Sequence, residues 1–395
     1  MLKSISTLGL LVLMFSYSCN EAAEDNSDGS QKSDSSQNES WALVPFAKID
    51  SANPIMAAGT GTFVCPILKR SIEWESKDVF NPAAVVRDNR IYMLYRAEDT
   101  IGKFAGTSRI GLAESTDGIH FTRRKEPVLF PAEDDQKKYE WEGGCEDPRV
   151  VEDSNGTYYM TYSSYDGTTA RLMVASSTNL LNWTKHGPVF AKAFNGKYLD
   201  KWSKSGSIVS RYLEDGRIVA EKINGSYWMY WGDVNIWAAT SPDLINWTPV
   251  LYEAGEKPEI ELRRNAGEIA EVKIVFGPRN GYFDSDLVEP GPPAMITEKG
   301  ILLIYNSRNI PAIGDRLLKE GTYAAGQVLM KSDNPMELIA RTESYFIKPD
   351  QQYEMEGQVN QVCFVEGLVR YKQNWFMYYG TADSKIAVAS KPVNQ

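Results

Sequence analysis

The sequence predicts an all-β fold, and more specifically a five-bladed β-propeller. A short aromatic strand recurs five times, each copy lies between two further strand-like segments, and the 3.6-residue periodicity of helices is absent. The copies recur about every 70 residues, and repeats of this size built from several short strands are typical of propeller blades. The copies read RIYMLY (Arg90 to Tyr95), TYYMTY (Thr157 to Tyr162), SYWMYW (Ser226 to Trp231), GILLIY (Gly300 to Tyr305) and NWFMYY (Asn374 to Tyr379).

A second strand follows each copy and, in the fuller copies, closes on a small polar turn, as in MVASSTNLLNW and WAATSPDLINW. The turn tryptophans Trp183 and Trp247 share one blade position, so we expect them to pack between blades, where aromatic burial supplies a large apolar area. An apolar strand precedes each copy, often after a proline. These preceding strands are NPAAVV at Asn81, DPRVV at Asp147, GRIVAEKI at Gly216, EPGPPAMI at Glu289 and NQVCFVEGLV at Asn360.

The repeat also sets the domain boundaries. We expect one propeller domain over residues 41–395. At about 252–284 we expect an inserted loop or hairpin, which we place at the surface. Charged residues such as Glu256, Arg263 and Arg264 interrupt the pattern in that insertion. Two stacked β-sandwiches are the alternative architecture, but they would leave the regular spacing of the copies unexplained.

The first 40 residues have the composition of an export signal followed by a tether. Residues 1–18 carry an early Lys3 and a short apolar stretch that ends at Cys19, which is the pattern of a bacterial lipoprotein signal peptide. We expect Cys19 to be lipidated and residues 19–40, which are acidic and nearly free of large apolar side chains, to form a disordered tether. An ordinary secretory signal is the alternative. The lipoprotein reading predicts an exported protein anchored at the membrane, facing the periplasm or the cell surface.

Composition excludes several classes of function. With 395 residues and a formal charge of -10, the chain is too acidic for nucleic-acid binding, which depends on clustered Lys and Arg. Two histidines and four cysteines leave no CxxC or HExxH spacing, so we expect no metal and no cofactor. Apart from Cys19 the cysteines are odd in number, and we expect Cys65, Cys145 and Cys363 to be small buried residues.

The candidate site lies where the first strand of each blade begins. Asn81-Pro82, Asp147-Pro148 and Glu289-Pro290 stand at equivalent positions, and Glu221 follows Ala220 near the same rim. Acids forced together raise one another's pKa and cluster preferentially at functional sites. Two carboxylates on opposite sides of a bound sugar are the apparatus of glycoside hydrolysis. The alternative is that these acids form ordinary surface salt bridges at the rim.

Five longer segments, spread through all five predicted blades, carry a distinctive order of motifs. They are SRIGLAESTDGIHF (Ser108 to Phe121), GGCEDPRVV (Gly143 to Val151), AEKINGSYW (Ala220 to Trp228), PGPPAMITEKGILLIYN (Pro290 to Asn306) and YYGTADSKIAVA (Tyr378 to Ala389). Together they resemble glycoside hydrolase family 130, the β-mannoside phosphorylases and β-mannosidases. The resemblance implies an inverting enzyme acting on β-manno-oligosaccharides. It also implies that Asp147 of the EDPR motif is the proton donor, acting through a hydroxyl of the mannose.

The family divides by its nucleophile, and two departures from the phosphorylase pattern favour water. The phosphorylase branch carries a His-Arg pair after the strand that follows EKING, whereas this chain has Trp231-Gly232-Asp233. It also carries small residues where this chain has Glu289. We therefore expect a hydrolase, directed at β-1,2 linkages, with Glu221 and Glu289 as joint candidates for the base that activates water.

Two alternatives to the hydrolase remain: a phosphorylase whose phosphate is held by Lys204 and Arg149, and a propeller that captures glycans without cleaving them.

The resemblance and the blade alignment together indicate which residues would bind sugar. Tyr165 and Asp166 are expected to contact the next sugar, and Lys204 and Asp233 to lie near the cleaved bond. The residues implied for the mannose at the cleaved position are Asn81, Arg96, Asp99, Arg109, Arg149 and Asp383.

Overall fold

The computed structural model describes residues 40–103, 106–256 and 269–393. The predicted signal peptide, Cys19 and nearly all of the tether lie outside these ranges. The fold is all-β, as predicted: within the described ranges, α-helix is limited to α1 (Lys137–Glu140) and α2 (Gln352–Met355). No helix there is long and apolar enough to cross a membrane. Cys65, Cys145 and Cys363 are buried free thiols, which confirms that prediction.

Most strands form five consecutive antiparallel groups, which we call repeats 1 to 5. Repeat 1 contains β4 (Asp78–Arg87), β5 (Arg90–Glu98), β6 (Ser108–Ser115) and β7 (Thr122–Arg123). Repeat 2 contains β8 (Gly144–Glu152), β9 (Tyr158–Tyr165), β10 (Ala170–Ser177) and β11 (Thr184–Pro188). Repeat 3 contains β12 (Ser207–Ile208), β15 (Lys222–Ile223), β16 (Ser226–Trp231), β17 (Ile236–Ser241), β18 (Thr248–Pro249) and β19 (Ile274–Phe276).

The last two repeats and the remaining hairpins complete the described strands. Repeat 4 contains β20 (Leu287–Pro290), β21 (Met295–Thr297), β22 (Gly300–Arg308), β23 (Tyr323–Met330) and β24 (Leu338–Arg341). Repeat 5 contains β25 (Cys363–Tyr371), β26 (Asn374–Thr381) and β27 (Lys385–Pro392), and β1 (Ala47–Lys48) pairs with β27 as its outer strand. The hairpins are β2 (Thr62–Cys65) with β3 (Arg70–Glu73), and β13 (Ser210–Tyr212) with β14 (Ile218–Ala220).

The last aromatic residue of the recurring strand makes the same buried contact in four of the five repeats. In four repeats this residue is a buried tyrosine whose hydroxyl donates to a buried carboxylate that also accepts from a Lys or Arg. A buried phenol needs such a partner because an unpaired polar group is costly away from water. The pairs are Tyr95 with Glu75 (2.9 Å), Tyr162 with Glu140 (2.8 Å), Tyr305 with Asp284 (2.7 Å) and Tyr379 with Glu354 (2.9 Å). In repeat 3 the position holds Trp231, which packs on Phe190 and Trp237.

The polar turns repeat in atomic detail. Ser177 Oγ accepts the amides of Asn179 and Leu180, and Ser241 Oγ accepts those of Asp243 and Leu244. Both turn tryptophans pack in hydrophobic clusters, and their place between blades stays a prediction. The Trp247 side chain is buried and donates to the Leu244 carbonyl, and Trp183, which is partly buried, donates to that of Leu180.

One predicted strand is wrong. The segment GRIVAEKI does not supply the first strand of repeat 3; it forms β14 and β15, and β14 pairs with β13 and β8. The first strand is β12, whose Ser207 pairs with Tyr230 beside the aromatic Trp231. β12 has only two residues, and the segment that contains it, SKSGSI (Ser203 to Ile208), is mostly polar, so no apolar pattern reveals a strand there.

The predicted insertion is partly built into repeat 3. Residues 257–268 lie outside the described ranges, but β19 pairs with β17 as an additional strand. Ile269, Val272 and Ile274 are buried in the hydrophobic core. This part of the insertion is therefore core-forming rather than a surface loop.

Candidate active site

A cavity of about 130 Å³ lies where the first strands of the repeats begin. Four of its polar lining residues, Asn81, Asp147, Lys204 and Glu289, belong to repeats 1, 2, 3 and 4 respectively. Repeat 5 contributes an apolar wall and one acid. The complete lining is Asn81, Arg96, Asp147, Lys204, Glu289, Tyr323, Val359, Val362, Phe364 and Asp383.

The backbone turns these side chains out of the strand ladder. Asn81, Asp147 and Ser205 have φ values of 46°, 49° and 55°, in the left-handed region that ordinary strands avoid. In repeats 1 and 2 the register shifts at the same place, after Phe80 and after Glu146. A bulge of this kind re-aims a side chain, and bulges are common beside active sites. The strain is therefore located at the residues that line or border the cavity.

Asp147 is held as a carboxylate by its neighbours. Its Oδ1 accepts from Asn81 Nδ2 at 3.0 Å and from Arg96 Nη1 at 3.2 Å. Burial acts to raise the pKa of Asp147, but Arg96, Lys204 and the Asn81 hydrogen bond outweigh burial and lower the pKa to about 2. Asp147 is thus ionised at neutral pH in the free protein.

Glu289 has the opposite character. Burial raises its pKa to about 7; Lys204 acts against burial, whereas Asp233 acts with it. Ser205 Oγ donates a hydrogen bond to Glu289 Oε1. Two acids in one cavity with pKa values pushed in opposite directions are the arrangement that assigns acid and base roles in many enzymes.

Acids outnumber bases around the cavity. Burial raises the pKa of Asp383 to about 7, although Arg96 opposes this effect. Lys204 is surrounded by carboxylates: burial alone would lower its pKa, but Asp147, Glu146 and Glu289 raise it. Of the two cations that line the cavity, Arg96 forms ion pairs with Glu98, Glu146 and Asp147, and Lys204 lies in the field of several carboxylates.

Arg149 does not line the cavity, although the sequence suggested that it binds substrate. Its side chain is 2% exposed, and its nitrogens donate to the carbonyls of Gly291 (2.7 Å), Pro290 (2.6 Å) and Asp147 (3.2 Å) and to the carboxylate of Glu366 (3.4 Å). Its donors are directed at the protein itself, so neither a sugar nor a phosphate has access to them.

Glu221 lies apart from the other acids, contrary to the sequence alignment. Its side chain is 39% exposed and forms an ion pair with Arg211 at 3.2 Å. The displacement follows from the corrected strand: the residue of repeat 3 equivalent to Asp147 is Ser205, not Glu221. Of the two candidate bases, only Glu289 lines the cavity.

Four residues predicted to bind sugar instead shape the hairpins beside the cavity. Asp99 accepts the amide of Thr107 and forms a buried ion pair with Arg109 at 2.7 Å. Asp166 makes the equivalent pair with Arg171 at 2.5 Å. Tyr165 accepts the amide of Gly143 through its carbonyl. Neither Asp99, Arg109, Tyr165 nor Asp166 is among the cavity-lining residues. Asp233 lies just outside the lining and accepts from Trp202 Nε1 at 2.8 Å.

Sequence reasoning missed several residues at the site. Glu146 binds Arg96 at 3.2 Å, and its place before Asp147 in the EDPR motif was the available signal. Ser205 would have followed from the correct alignment of repeat 3. Tyr323 and Glu366 have no local signal, because their importance depends on contacts with distant segments.

Comparison with known proteins agrees with this site. A family model described as β-1,4-mannooligosaccharide phosphorylase, that of glycoside hydrolase family 130, matches residues 66–395. The chain belongs to glycoside hydrolase family 130. This confirms the resemblance drawn from the motifs.

Relatives of this chain are described with two activities, phosphorolysis and hydrolysis. A 1,2-β-oligomannan phosphorylase of Thermoanaerobacter sp. is 31% identical over 82% of this chain and 94% of its own length. A putative glycosidase of Bacteroides thetaiotaomicron is 45% identical, with a TM-score of 0.84 over 90% of this chain and 99% of that one. Another solved structure is 44% identical, with a TM-score of 0.84 over 90% of this chain and 96% of that one. Its description states that the family of mannoside phosphorylases contains glycoside hydrolases that target β-1,2-mannosidic linkages in Candida mannan.

Proposed function

We propose that this chain is an inverting glycoside hydrolase that cleaves β-mannosidic bonds, with β-1,2-linked manno-oligosaccharides as its substrates. The family relation supports the choice of substrate: two relatives that are 30% or more identical are named as phosphorylases of β-1,2-linked mannosides, and the description of a 44% identical structure names family 130 hydrolases that target β-1,2 linkages. The charge distribution supports water over phosphate. Arg149 and Arg96 are engaged by protein acceptors. Lys204 lies among Asp147, Glu146, Glu289 and Asp233, so a phosphate dianion would meet more negative than positive charge.

Asp147 and Glu289 have distinct roles in this proposal. Glu289, anchored by Ser205, orients and deprotonates the attacking water. Asp147 delivers a proton to the departing oxygen through a hydroxyl of the bound mannose. A sugar that engages Arg96, Lys204 and Asn81 with its hydroxyls would weaken their hold on the carboxylate, and its burial of the site would raise the pKa of Asp147 toward that of a proton donor.

We also propose that repeats 1 to 5 are the blades of a five-bladed propeller. All five contribute residues to one cavity, and β4 of repeat 1 contacts both β8 of repeat 2 and β25 of repeat 5. That pattern is expected when first strands surround a common axis. An experimental structure in which the five sheets did not close around one axis would contradict this proposal.

A β-mannoside phosphorylase is the second candidate, because the curated relatives carry that name. The deciding experiment incubates the protein with β-1,2-mannobiose, with and without phosphate, and identifies the product. We expect free mannose in phosphate-free buffer, released initially as the α-anomer. Mannose 1-phosphate formed only when phosphate is present would establish the phosphorylase instead. No product under either condition would indicate a protein that binds glycans without cleaving them.

The acid assignment is tested by Asp147→Asn. The amide keeps the shape and can still accept from Arg96, but it cannot supply a proton, so we expect kcat to fall by about 10²–10⁴-fold. Mannobiose binding, measured by calorimetry, should remain detectable. Turnover at the wild-type rate would refute the assignment.

We further propose that the protein is exported and anchored through a lipid on Cys19. The support is the sequence pattern of residues 1–40 alone. Cys19→Ser should move the protein from the membrane fraction to the soluble fraction of the producing cell. Unchanged fractionation would contradict the anchor.

A further inference from the structure

Glu366 is a buried acid at the centre of the molecule that the proposed chemistry does not use. It lies where β25 slips against β26: Val365 pairs with Tyr379 and Gly367 with Tyr378, so Glu366 stands outside the ladder. Its side chain is 0% exposed, and Oε1 accepts from Arg149 Nη1 at 3.4 Å. Because β25 belongs to repeat 5 and Arg149 to repeat 2, this contact joins two sheets.

Arg149 extends the connection to the segment that carries Glu289. Its Nε donates to the carbonyl of Gly291 and its Nη2 to that of Pro290, the residue directly after Glu289. Its Nη1 donates to the carbonyl of Asp147. One guanidinium therefore fixes the main chain at both carboxylates assigned to chemistry, and Glu366 is the side chain that holds this guanidinium from repeat 5.

The charge state of Glu366 suits such a role. Burial raises its pKa well above the usual range, although Arg149 opposes this. A neutral carboxyl still offers a carbonyl oxygen to Arg149 and adds no further negative charge beside Asp147 and Glu289. Glutamine matches a neutral glutamic acid in shape and in this acceptor, which provides a conservative substitution.

We propose that Glu366 is a positioning residue of the hydrolytic site: through Arg149 it holds Asp147 and Glu289 at the separation that the reaction needs. The inference rests on the proposed function, which gives those two acids their roles. Displacement of catalytic groups by about 1 Å can cost on the order of 10²-fold in rate.

The test compares Glu366→Gln, Glu366→Asp and Glu366→Ala with wild type. We expect Glu366→Gln to keep nearly the wild-type kcat, because Arg149 retains its acceptor. Glu366→Asp cannot reach Arg149, and Glu366→Ala removes the contact, so both should lower kcat by on the order of 10²-fold with little change in KM. If the alanine variant fails to fold, the aspartate variant carries the test.

Glu140→Ala is the matched control. Glu140 is equally buried and accepts from Tyr162 and Lys185, but it lies outside the cavity lining and has no contact with Arg149. Its loss should lower the melting temperature while leaving kcat and KM of the folded enzyme unchanged. A wild-type kcat in Glu366→Asp, or a loss in Glu366→Gln as large as that in Glu366→Ala, would overturn the proposal.

A second measurement separates this inference from the proposed function. Hydrogen exchange of the Gly291 amide, which is bonded to the Ile304 carbonyl, reports directly on the segment that Arg149 holds. Exchange should accelerate in Glu366→Asp but not in Glu140→Ala. An inactive wild-type protein would refute the hydrolase while this comparison still decides whether Glu366 positions the site. Equal exchange in wild type and Glu366→Asp would reject the positioning role.

Discussion

At the residue scale, the surroundings of Asp147 and Glu289 set which of the two carboxyl groups carries a proton. Asp147 and Glu289 line one cavity, yet their pKa values are about 2 and about 7. The difference arises because Asp147 has two direct hydrogen-bond donors, Asn81 and Arg96, whereas Glu289 is buried with a hydroxyl partner. In the free protein the proton of this pair therefore rests on Glu289, and the proposed roles require substrate binding to move it to Asp147.

Glu289→Gln and Glu221→Gln separate the two bases that the sequence left open. Loss of the water-activating carboxylate should lower kcat by about 10²–10⁴-fold, whereas Glu221 pairs with Arg211 at the surface and its replacement should leave kcat unchanged. Azide, which needs no base, should restore turnover of Glu289→Ala. A larger loss in the Glu221 variant would show that Glu289 is not the base.

The shared proton predicts the pH dependence of kcat/KM. Between pH about 2 and pH about 7 the acid pair carries one proton, which rests on Glu289 in the free enzyme and must reach Asp147 for catalysis. Both arrangements have the same charge, so kcat/KM should fall only above pH about 7, when the proton is lost. Steady-state rates from about pH 5 to about pH 9 test this; a plateau across that range would contradict it.

At the element scale, the residue four positions after the last aromatic residue makes different contacts in different repeats. Asp99, Asp166, Asn309 and Asp383 each stand four residues after the last aromatic residue of their repeat. The first three bind within their own hairpin loops. Asp383 occupies a hairpin of only three residues between β26 and β27, and it lines the cavity instead. Residue type alone does not decide this, because Asp99 and Asp166 are also aspartates and do not line the cavity.

Repeat 5 depends on a strand from the other end of the described chain. Lys48 in β1 donates to Glu354 at 2.7 Å, and that carboxylate is fully buried. Lys48→Met would leave it without its cation, so unfolding free energy should fall by about 3–5 kcal/mol. Urea denaturation measures this.

Lys331→Met is the control for that substitution. Its ion pair with Glu337 is about half exposed on both sides, and exposed pairs contribute little to stability because water and salt screen them. If both variants lost the same stability, β1 would not be anchored through Lys48.

At the scale of the whole molecule, the acidic centre has a cost in stability. The folded-state pKa of Glu289 and of Asp383 is about 7, above the ordinary values of 4.5 and 3.8. The unfolded chain therefore releases these protons first, and folding becomes less favourable as pH rises from about 4 to about 7. The proposed reaction uses this cluster even though stability would not favour it.

This cost should be visible in thermal melting. At pH about 8 the Glu289→Gln variant, which removes a buried charge, should melt roughly 2 °C or more above wild type, and at pH about 5 the difference should shrink. Glu221→Gln, at an exposed site, should show no such pH-dependent gain. An equal shift for Glu289→Gln at both pH values would mean that Glu289 is not buried as a titrating group.

The sequence by itself determined the features that depend on neighbouring residues. Alternating aromatic strands, serine-based turns and X-Pro strand starts are local patterns, and they were enough to locate the middle strands, Asp147 and Glu289. The order of the longer motifs carried the resemblance to the family. The tertiary structure decided the rest. Lys204 and Ser205 reach the cavity because β12 pairs with β16, Arg149 is occupied by carbonyls more than 140 residues away, and Glu366 meets Arg149 only when repeats 2 and 5 come together. Such contacts join segments far apart in the chain, so no local pattern records them.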